Sequence, residues 1–284
     1  MSTLRYGLSL HPCTLGWRVA WSALAELAAE TGYEGVVIAR DQPLPAARSN
    51  AVRATSMLLP AEVRRDEETY RTTMTKVRPM CEFARSVGCR VASLGIPPSA
   101  ERPRDEQAKL LRERLNPCCE ILDEFGIRLA IEGLTPLHLR RAHPYEFLVQ
   151  NDELLEFGLT VSPQCGLIAD AWHWHHAGSD VEWLRGIPHD RILDVHISDS
   201  PALPAEDIRD TERLLPGEGV VDFDGFFELL AGIGYRGLLT VEIFNRGLNE
   251  IEPAEAARRA FRAASDVVTA WQQDRAIRPN RAEA

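Results

Sequence analysis

A repeating order of amphipathic helix, glycine and apolar strand runs along the chain. The first clear copy has a helical pattern over residues 22–30, then Gly32, then an apolar run over residues 35–39. A glycine directly after a helix is typical of a left-handed cap, and the β-rich apolar run that follows is typical of a buried parallel strand. Three further copies have the same order: 79–87, Gly88 and 90–95; 117–125, Gly126 and 127–132; 226–233, Gly234 and 237–243.

The less regular copies bring the number of candidate strands to eight, and helical stretches alternate with them. Strands that alternate with helices at this spacing imply βα units and a parallel sheet. Eight such units predict an α/β fold of the closed (β/α)8 TIM barrel type. The candidate strands are residues 6–10, 35–39, 54–59, 90–96, 127–132, 166–170, 192–197 and 237–243.

The competing fold is an open, doubly wound sheet that binds a nucleotide. That fold requires a glycine-rich turn after its first strand, whereas the first strand here runs into residues 11–17, HPCTLGW. No Gly/Ser-rich linker or low-complexity stretch divides the chain. We therefore predict one barrel domain over residues 1–274, with a last helix over 253–271 and a polar tail over 275–284.

Composition narrows the class of protein and of partner. With 284 residues, of which 45% are hydrophobic and 26% charged, the chain reads as a soluble globular protein. The formal net charge of -10 opposes a nucleic-acid partner, since nucleic-acid binders usually present a basic face. Residues 1–10 lack the pattern of a secretion signal, and no apolar run approaches the roughly 18 residues that span a bilayer. We expect a cytoplasmic protein with a small-molecule substrate and no nucleic-acid or membrane partner.

The cysteines agree with a reducing compartment. They show neither CxxC spacing nor the density of a disulfide scaffold. Oligomeric state cannot be read from the sequence, and a homo-oligomer is left open because helix-ringed barrels often associate through their outer faces. The six cysteines are Cys13, Cys81, Cys89, Cys118, Cys119 and Cys165.

Four successive predicted strands each end in a residue of a type that binds metal ions. Burying a bare charge after an apolar run is costly unless a cation or another partner compensates it. The carboxyl ends of barrel strands meet at one rim, so all four side chains can converge there. Three carboxylates and one imidazole suit Mn²⁺, Mg²⁺, Co²⁺ or Zn²⁺. The alternative is four unrelated polar residues, each satisfied by a cap or loop hydrogen bond. The four residues are Glu132, Asp170, His196 and Glu242.

The chain resembles the xylose isomerase-like barrels, and within them the sugar phosphate isomerase/epimerase group that includes ketose 3-epimerases and inosose dehydratases. The resemblance implies that these four residues, which we call the quartet, hold one divalent cation, with Mn²⁺ as the first expectation. It also implies that His173 and Arg213 contact substrate oxygens. The segments that carry the resemblance are DAWH at 170–173, VHISD at 195–199, RLLPGEG at 213–219, GYRG at 234–237 and TVE at 240–242.

The same residues suggest a reaction. A cation that chelates a carbonyl and its neighbouring hydroxyl stabilises the enediolate left when the adjacent carbon loses a proton. Glu132 and Glu242 are then the catalytic pair that removes and returns this proton. The prediction is an isomerase or epimerase of a ketose or a related polyhydroxylated carbonyl compound. If the intermediate expels a β-hydroxyl instead, the same site is a dehydratase of the inosose or dehydroshikimate type, and the quartet does not choose between the two.

The loop after Asp170 is unusually aromatic. Trp172 is predicted to form a wall of the substrate site, next to His173. For His175 and His176, loop packing is the favoured interpretation. Arg213 precedes a Pro-Gly-Glu-Gly turn that would fix its position, and arginine suits a substrate carboxylate, phosphate or enediolate oxygen; surface ion pairing is the alternative.

Two residues on the first strands are further candidates for substrate binding. His11 ends the first strand at the same rim, although a single histidine there is equally consistent with packing. Many relatives carry a glutamate at the end of strand two, whereas this chain has Arg40 just after it. We hypothesise that Arg40 selects an anionic substrate; a rim arginine paired with a helix carboxylate is the alternative.

Two other functions are disfavoured. An abasic-site endonuclease on the same barrel uses extra histidines on strands three and four, but residues 57–60 (MLLP) and 93–96 (SLGI) contain none. A barrel that only binds, with the quartet as a structural metal site, does not explain why His173 and Arg213 accompany the quartet.

Overall fold

Eight parallel strands form a closed barrel in which each strand pairs with its neighbours in the chain, and the last pairs with the first. The computed structural model describes residues 4–40, 52–149, 151–177 and 182–277. The predicted single-domain (β/α)8 TIM barrel is confirmed. The strands are β1 (Leu8–Leu10), β2 (Gly35–Ile38), β3 (Arg53–Leu58), β4 (Val91–Ile96), β5 (Arg128–Gly133), β6 (Gly166–Asp170), β7 (Ile192–Ile197) and β8 (Leu239–Val241).

Helices alternate with the strands along most of the described chain. The longer ones are α1 (Trp21–Thr31), α2 (Glu67–Met74), α3 (Val77–Ser86), α4 (Arg104–Glu124), α5 (Asn151–Val161), α6 (Ala171–Ala177), α7 (Phe223–Gly232) and α8 (Pro253–Ile277). Single turns of helix occur at Pro12–Leu15, Leu137–Arg140, Glu182–Arg185, His189–Arg191 and Arg246–Glu250. A short antiparallel ribbon joins Ser99–Ala100 to Tyr145–Glu146.

The glycines of the sequence repeat close helices as predicted. Gly32, Gly88, Gly126 and Gly234 have φ angles of 110°, 83°, 62° and 81°. These values lie in the left-handed region, which glycine enters without the steric cost of a Cβ. The repeat therefore marks real boundaries between helices and the strands that follow them.

Two predicted helix boundaries are wrong. The third copy of the repeat predicts a helix over residues 117–125, but α4 begins at Arg104 and Pro117 lies inside it. The last helix continues past residue 271 to Ile277, so residues 275–277 of the predicted tail are helical. Arg275 is held there by an ion pair with Glu228 at 3.1 Å and by the ring of Trp271. Residues 278–284 lie outside the described part of the chain.

The core consists of apolar side chains shared by strands and helices, and polar groups replace them inside the barrel. Helix residues such as Leu24, Leu115 and Phe226 are fully buried. By contrast, Ser9, Ser56 and Thr240, which lie on barrel strands, are also fully buried. Barrel interiors are usually filled by layers of branched apolar residues. The buried hydroxyls therefore indicate that a polar group inside the barrel needs hydrogen-bond partners.

All six cysteines are unpaired and buried. Cys118 and Cys119 lie in α4 and pack in the core. No helix among the described residues is long and apolar enough to cross a membrane.

Candidate metal centre and active site

The four residues of the quartet converge at the carboxyl end of the barrel. Each offers one ligand atom, and these atoms all lie within 4.8 Å of one another. Nδ1 of His196 is 3.2 Å from Oε1 of Glu132 and 3.4 Å from Oε2 of Glu242. All four side chains are buried.

Strand register explains why these residues meet. Asp170 pairs with His196 across β6 and β7, and His196 pairs with Thr240, two residues before Glu242. Since side chains alternate between the faces of a strand, Thr240 and Glu242 point to the same side. Glu132 pairs with Gly95 of β4, where a Cβ would lie 3.7 Å from the Glu132 carboxylate.

The residues present fit a divalent cation. Oε1 of Glu132 and Nδ1 of His196 are buried and have no hydrogen-bond partner. Buried polar atoms are nearly always satisfied, and a bound cation would satisfy both of these. Oxygen and imidazole nitrogen are donors that Mn²⁺, Mg²⁺, Co²⁺ and Zn²⁺ accept. The quartet can therefore bind a metal ion.

Arg213 lies among the carboxylates of the site and is 1% exposed. Its Nη1 is 3.1 Å from Asp170 Oδ2 and 3.1 Å from Glu242 Oε2, and its Nη2 is 2.8 Å from Asp210 Oδ1. The pKa of Arg213 is raised: burial favours the neutral form, but the surrounding carboxylates outweigh it. A permanent positive charge therefore offsets part of the negative charge of the quartet.

The pKa values of the two glutamates of the quartet are shifted in opposite directions. Burial and the charge of Glu242 raise the pKa of Glu132. Burial would also raise the pKa of Glu242, but His11, His196 and Arg213 hold it well below its usual value. Paired carboxyl groups with pKa values driven apart are typical of sites that need one acid and one base.

His173 and Arg213 lie in contact beside the quartet. The backbone N–H of Thr135 donates to His173 Nδ1 at 3.3 Å, and the Thr135 hydroxyl donates to the His173 carbonyl at 2.6 Å. The other ring nitrogen, Nε2, is 3.3 Å from Nη2 of Arg213, a group that can only donate. Thr135 therefore fixes the histidine at the edge of the arginine.

His11 reaches the site from β1. Its Nε2 is 3.4 Å from Oε1 of Glu242, and its Nδ1 is 2.8 Å from the thiol of Cys13. Burial lowers the pKa of His11 to about 4, so the ring is neutral near pH 7. The structure thus places His11 at the quartet, and its contact with substrate stays a prediction.

The remaining two candidates, Trp172 and Arg40, each contact another side chain of the protein. Trp172 is fully buried, with the guanidinium of Arg213 5.3 Å above its ring, so it supports the arginine; a direct substrate contact stays a prediction. Arg40 is 31% exposed and pairs with Glu62 at 3.1 Å. Glu62 lies in the loop after β3 and not in a helix. The role of Arg40 in selecting an anionic substrate also stays a prediction.

Sequence reasoning missed two carboxylates next to the site, of which Asp194 is buried and Asp210 is partly exposed. Asp194 lies 3.5 Å from Nε2 of His196, and Asp210 pairs with Arg213. The signal for Asp194 was present: it lies two residues before His196 on one strand, so both side chains share a face. Asp210 lies in an irregular loop, where spacing carries no such information.

The family model described as the xylose isomerase-like TIM barrel matches residues 25–264. The chain belongs to this family, as the sequence resemblance indicated.

Relatives with named activities are isomerases and dehydratases. The inosose isomerase of Bacillus velezensis is 26% identical over 209 residues, which are 73% of this chain and 72% of that protein. The inosose isomerase of Bacillus subtilis is 31% identical over 106 residues, and this match covers 37% of this chain and only 38% of that relative. The 3-dehydroshikimate dehydratase of Pseudomonas putida is 35% identical over 104 residues, 36% of this chain and 16% of that protein.

Solved structures share the fold. The IolI protein, determined with a bound zinc atom, aligns with a TM-score of 0.78 at 22% identity and covers 93% of this chain and 99% of its own. L-ribulose 3-epimerase aligns with a TM-score of 0.66 at 16% identity and covers 96% of this chain and 97% of its own.

Proposed function

We propose that this protein is a divalent-metal-dependent isomerase or epimerase of a ketose or a related polyhydroxylated carbonyl compound. The observation that carries the proposal is the buried pair Glu132 and Glu242, whose pKa values are displaced in opposite directions beside a set of metal-type ligands. The inosose isomerases among the relatives support the same class of small-molecule substrate.

In this proposal the quartet holds one cation, with Mn²⁺ as the first candidate and Mg²⁺, Co²⁺ or Zn²⁺ as alternatives. When bound, the cation supplies Lewis acidity toward the substrate carbonyl. The zinc atom in the IolI structure supports the presence of a metal and leaves its identity in this chain to experiment.

The protein's own groups bind the substrate and move the proton. His173 and Arg213, which lie in contact beside the quartet, bind substrate oxygens and fix their orientation. The ionised Glu242 takes the proton from the carbon beside the carbonyl. Glu132 is the second carboxyl group of the pair and returns a proton to carbon. Delivery to the opposite face of the same carbon inverts it. Delivery to the neighbouring carbon, with the hydroxyl proton passing to the former carbonyl oxygen, moves the carbonyl.

The second candidate is a dehydratase that expels a β-hydroxyl after the same proton abstraction. The 35% identity with 3-dehydroshikimate dehydratase favours it. The abasic-site endonuclease remains disfavoured, because β3 and β4 contain no histidine.

The test is incubation of the Mn²⁺-loaded protein with inososes, ketoses and 3-dehydroshikimate in deuterated buffer. Isomerisation or epimerisation labels the recovered substrate and product at carbon, whereas dehydration extends the conjugation of the substrate and produces a new ultraviolet absorption. Glu132→Gln and Glu242→Gln should each abolish labelling, while Glu218→Gln, an exposed carboxylate of the nearby turn, should not. Labelling that survives in both variants would contradict the assigned pair.

A further inference from the structure

Asp194 stands behind the histidine of the quartet. It is 3% exposed, and its Oδ2 lies 3.5 Å from Nε2 of His196. The other ring nitrogen of His196 faces Glu132 and Glu242. Asp194 therefore contacts the edge of the imidazole that points away from the carboxylates of the quartet.

Three donors hold the Asp194 carboxylate in one orientation. The hydroxyl of Ser56 donates to Oδ2 at 2.8 Å, and that of Thr240 donates to Oδ1 at 2.9 Å. The backbone N–H of Val195 donates to Oδ1 at 2.9 Å. These bonds join β3, β7 and β8, so the carboxylate cannot turn away from His196 without losing them.

A carboxylate inside the barrel requires an explanation, because its burial is costly and branched apolar side chains usually fill this space. A link between strands alone does not need a charge, since Ser56 and Thr240 could donate to backbone carbonyls. His196 is the group that gains from a negative acceptor here, because its buried Nε2 has no hydrogen bond. A small rotation of the ring would bring the 3.5 Å contact to hydrogen-bond length.

We infer that Asp194 is a positioning residue, which accepts Nε2–H of His196 and so keeps the lone pair of Nδ1 directed at the other ligands of the quartet. The inference rests on the proposed metal centre. Histidines that bind metals almost always donate their other ring N–H to a carboxylate, carbonyl or water. Asp194 would set the affinity of the centre for its cation, although it binds neither the cation nor the substrate.

The test compares Asp194→Asn and Asp194→Leu with the wild-type protein by Co²⁺ titration, followed by the visible absorption of the bound ion. We expect the affinity for Co²⁺ to fall by about 10- to 100-fold, with the larger loss in the leucine variant. The absorption of the bound ion should also change. The matched control is Ser93→Ala, which removes a buried hydroxyl of β4 that donates to the Met57 carbonyl and should leave both readouts unchanged.

Thermal unfolding of the metal-free variants separates positioning from general damage. If Asp194→Asn keeps the melting temperature of the wild-type protein and still loses affinity, the positioning role is supported. Unchanged affinity and absorption in both variants, with a wild-type protein that binds Co²⁺, would overturn the role of Asp194 alone. A wild-type protein that binds no cation would overturn the metal centre and this inference together.

Discussion

The two halves of the barrel rim differ in chemistry. The strands β5 to β8 each have a member of the quartet within one residue of their end. The strands β1 to β4 are followed by His11, Ala39, Leu59 and Pro97, of which only His11 can bind a metal. The difference teaches that the candidate metal ligands, and with them the proposed proton transfer, belong to one half of the rim.

The electrostatic demands of the halves differ too. The β5–β8 half buries three carboxylates of the quartet with one arginine, so removing any charge there leaves another uncompensated. The first half offers the neutral ring of His11 and the partly exposed pair of Arg40 and Glu62. Changes in the β5–β8 half should therefore cost more than changes in the first half.

The largest effect is expected for Arg213→Ala in the metal-free protein. The change leaves the buried carboxylates of Asp170 and Glu242 without their partner, which should lower the free energy of unfolding by about 3–5 kcal/mol. Urea denaturation measures this loss. Arg209→Ala, an exposed arginine of the same loop, is the control and should change stability by less than about 0.5 kcal/mol. Equal losses in the two variants would contradict the view of Arg213 as the balancing charge.

Removing the metal should have the next largest effect. A cation that binds only the folded state at 1,000 times its dissociation constant adds about 4 kcal/mol of stability. We expect a chelator to lower the melting temperature of the wild-type protein and to leave that of His196→Ala unchanged. A chelator that lowers both equally would place the bound ion elsewhere.

The pH dependence of the metal-free protein tests His11. Its folded pKa of about 4 lies below the unfolded value, so the unfolded chain binds the proton first. Stability from this residue is complete above about pH 6.5 and is lost as the pH falls to about 4, by about 3 kcal/mol at most.

Denaturation at several pH values should show a shallower loss for His11→Gln than for the wild-type protein. His143→Gln, on a side chain 41% exposed, serves as the control. Identical pH profiles for the wild-type protein and His11→Gln would show that His11 is not the buried neutral group described.

The smallest effect is expected for Arg40→Ala. If Arg40 reads an anionic group, kcat/KM for a carboxylated or phosphorylated substrate should fall about tenfold, roughly the value of one charge-assisted hydrogen bond. The kcat/KM for a neutral substrate should not change. Steady-state kinetics with one substrate of each kind decides, and equal losses would make Arg40 part of the rim ion pair alone.

Local rules were sufficient for the barrel and the quartet. Glycine caps, apolar runs and residues at strand ends each depend on a few neighbouring positions, so Gly32 or Glu132 could be assigned without tertiary information. The burial of Trp172 under Arg213 and the pairing of Arg213 with Asp210 depend on how loops fold over the rim, which no periodicity encodes. Asp194 lies between these cases. The sequence shows that it shares a strand face with His196, but its partners Ser56 and Thr240 lie on other strands.

The most direct test of the central claim is the metal content of the purified wild-type protein, measured beside His196→Ala and Glu242→Gln. The proposed centre predicts about one divalent ion per chain, absent from both variants and retained in the exposed control Glu218→Gln. A wild-type protein without metal after incubation with Mn²⁺, Co²⁺ and Mg²⁺, or variants that keep the ion, would contradict the claim that the quartet is a metal centre.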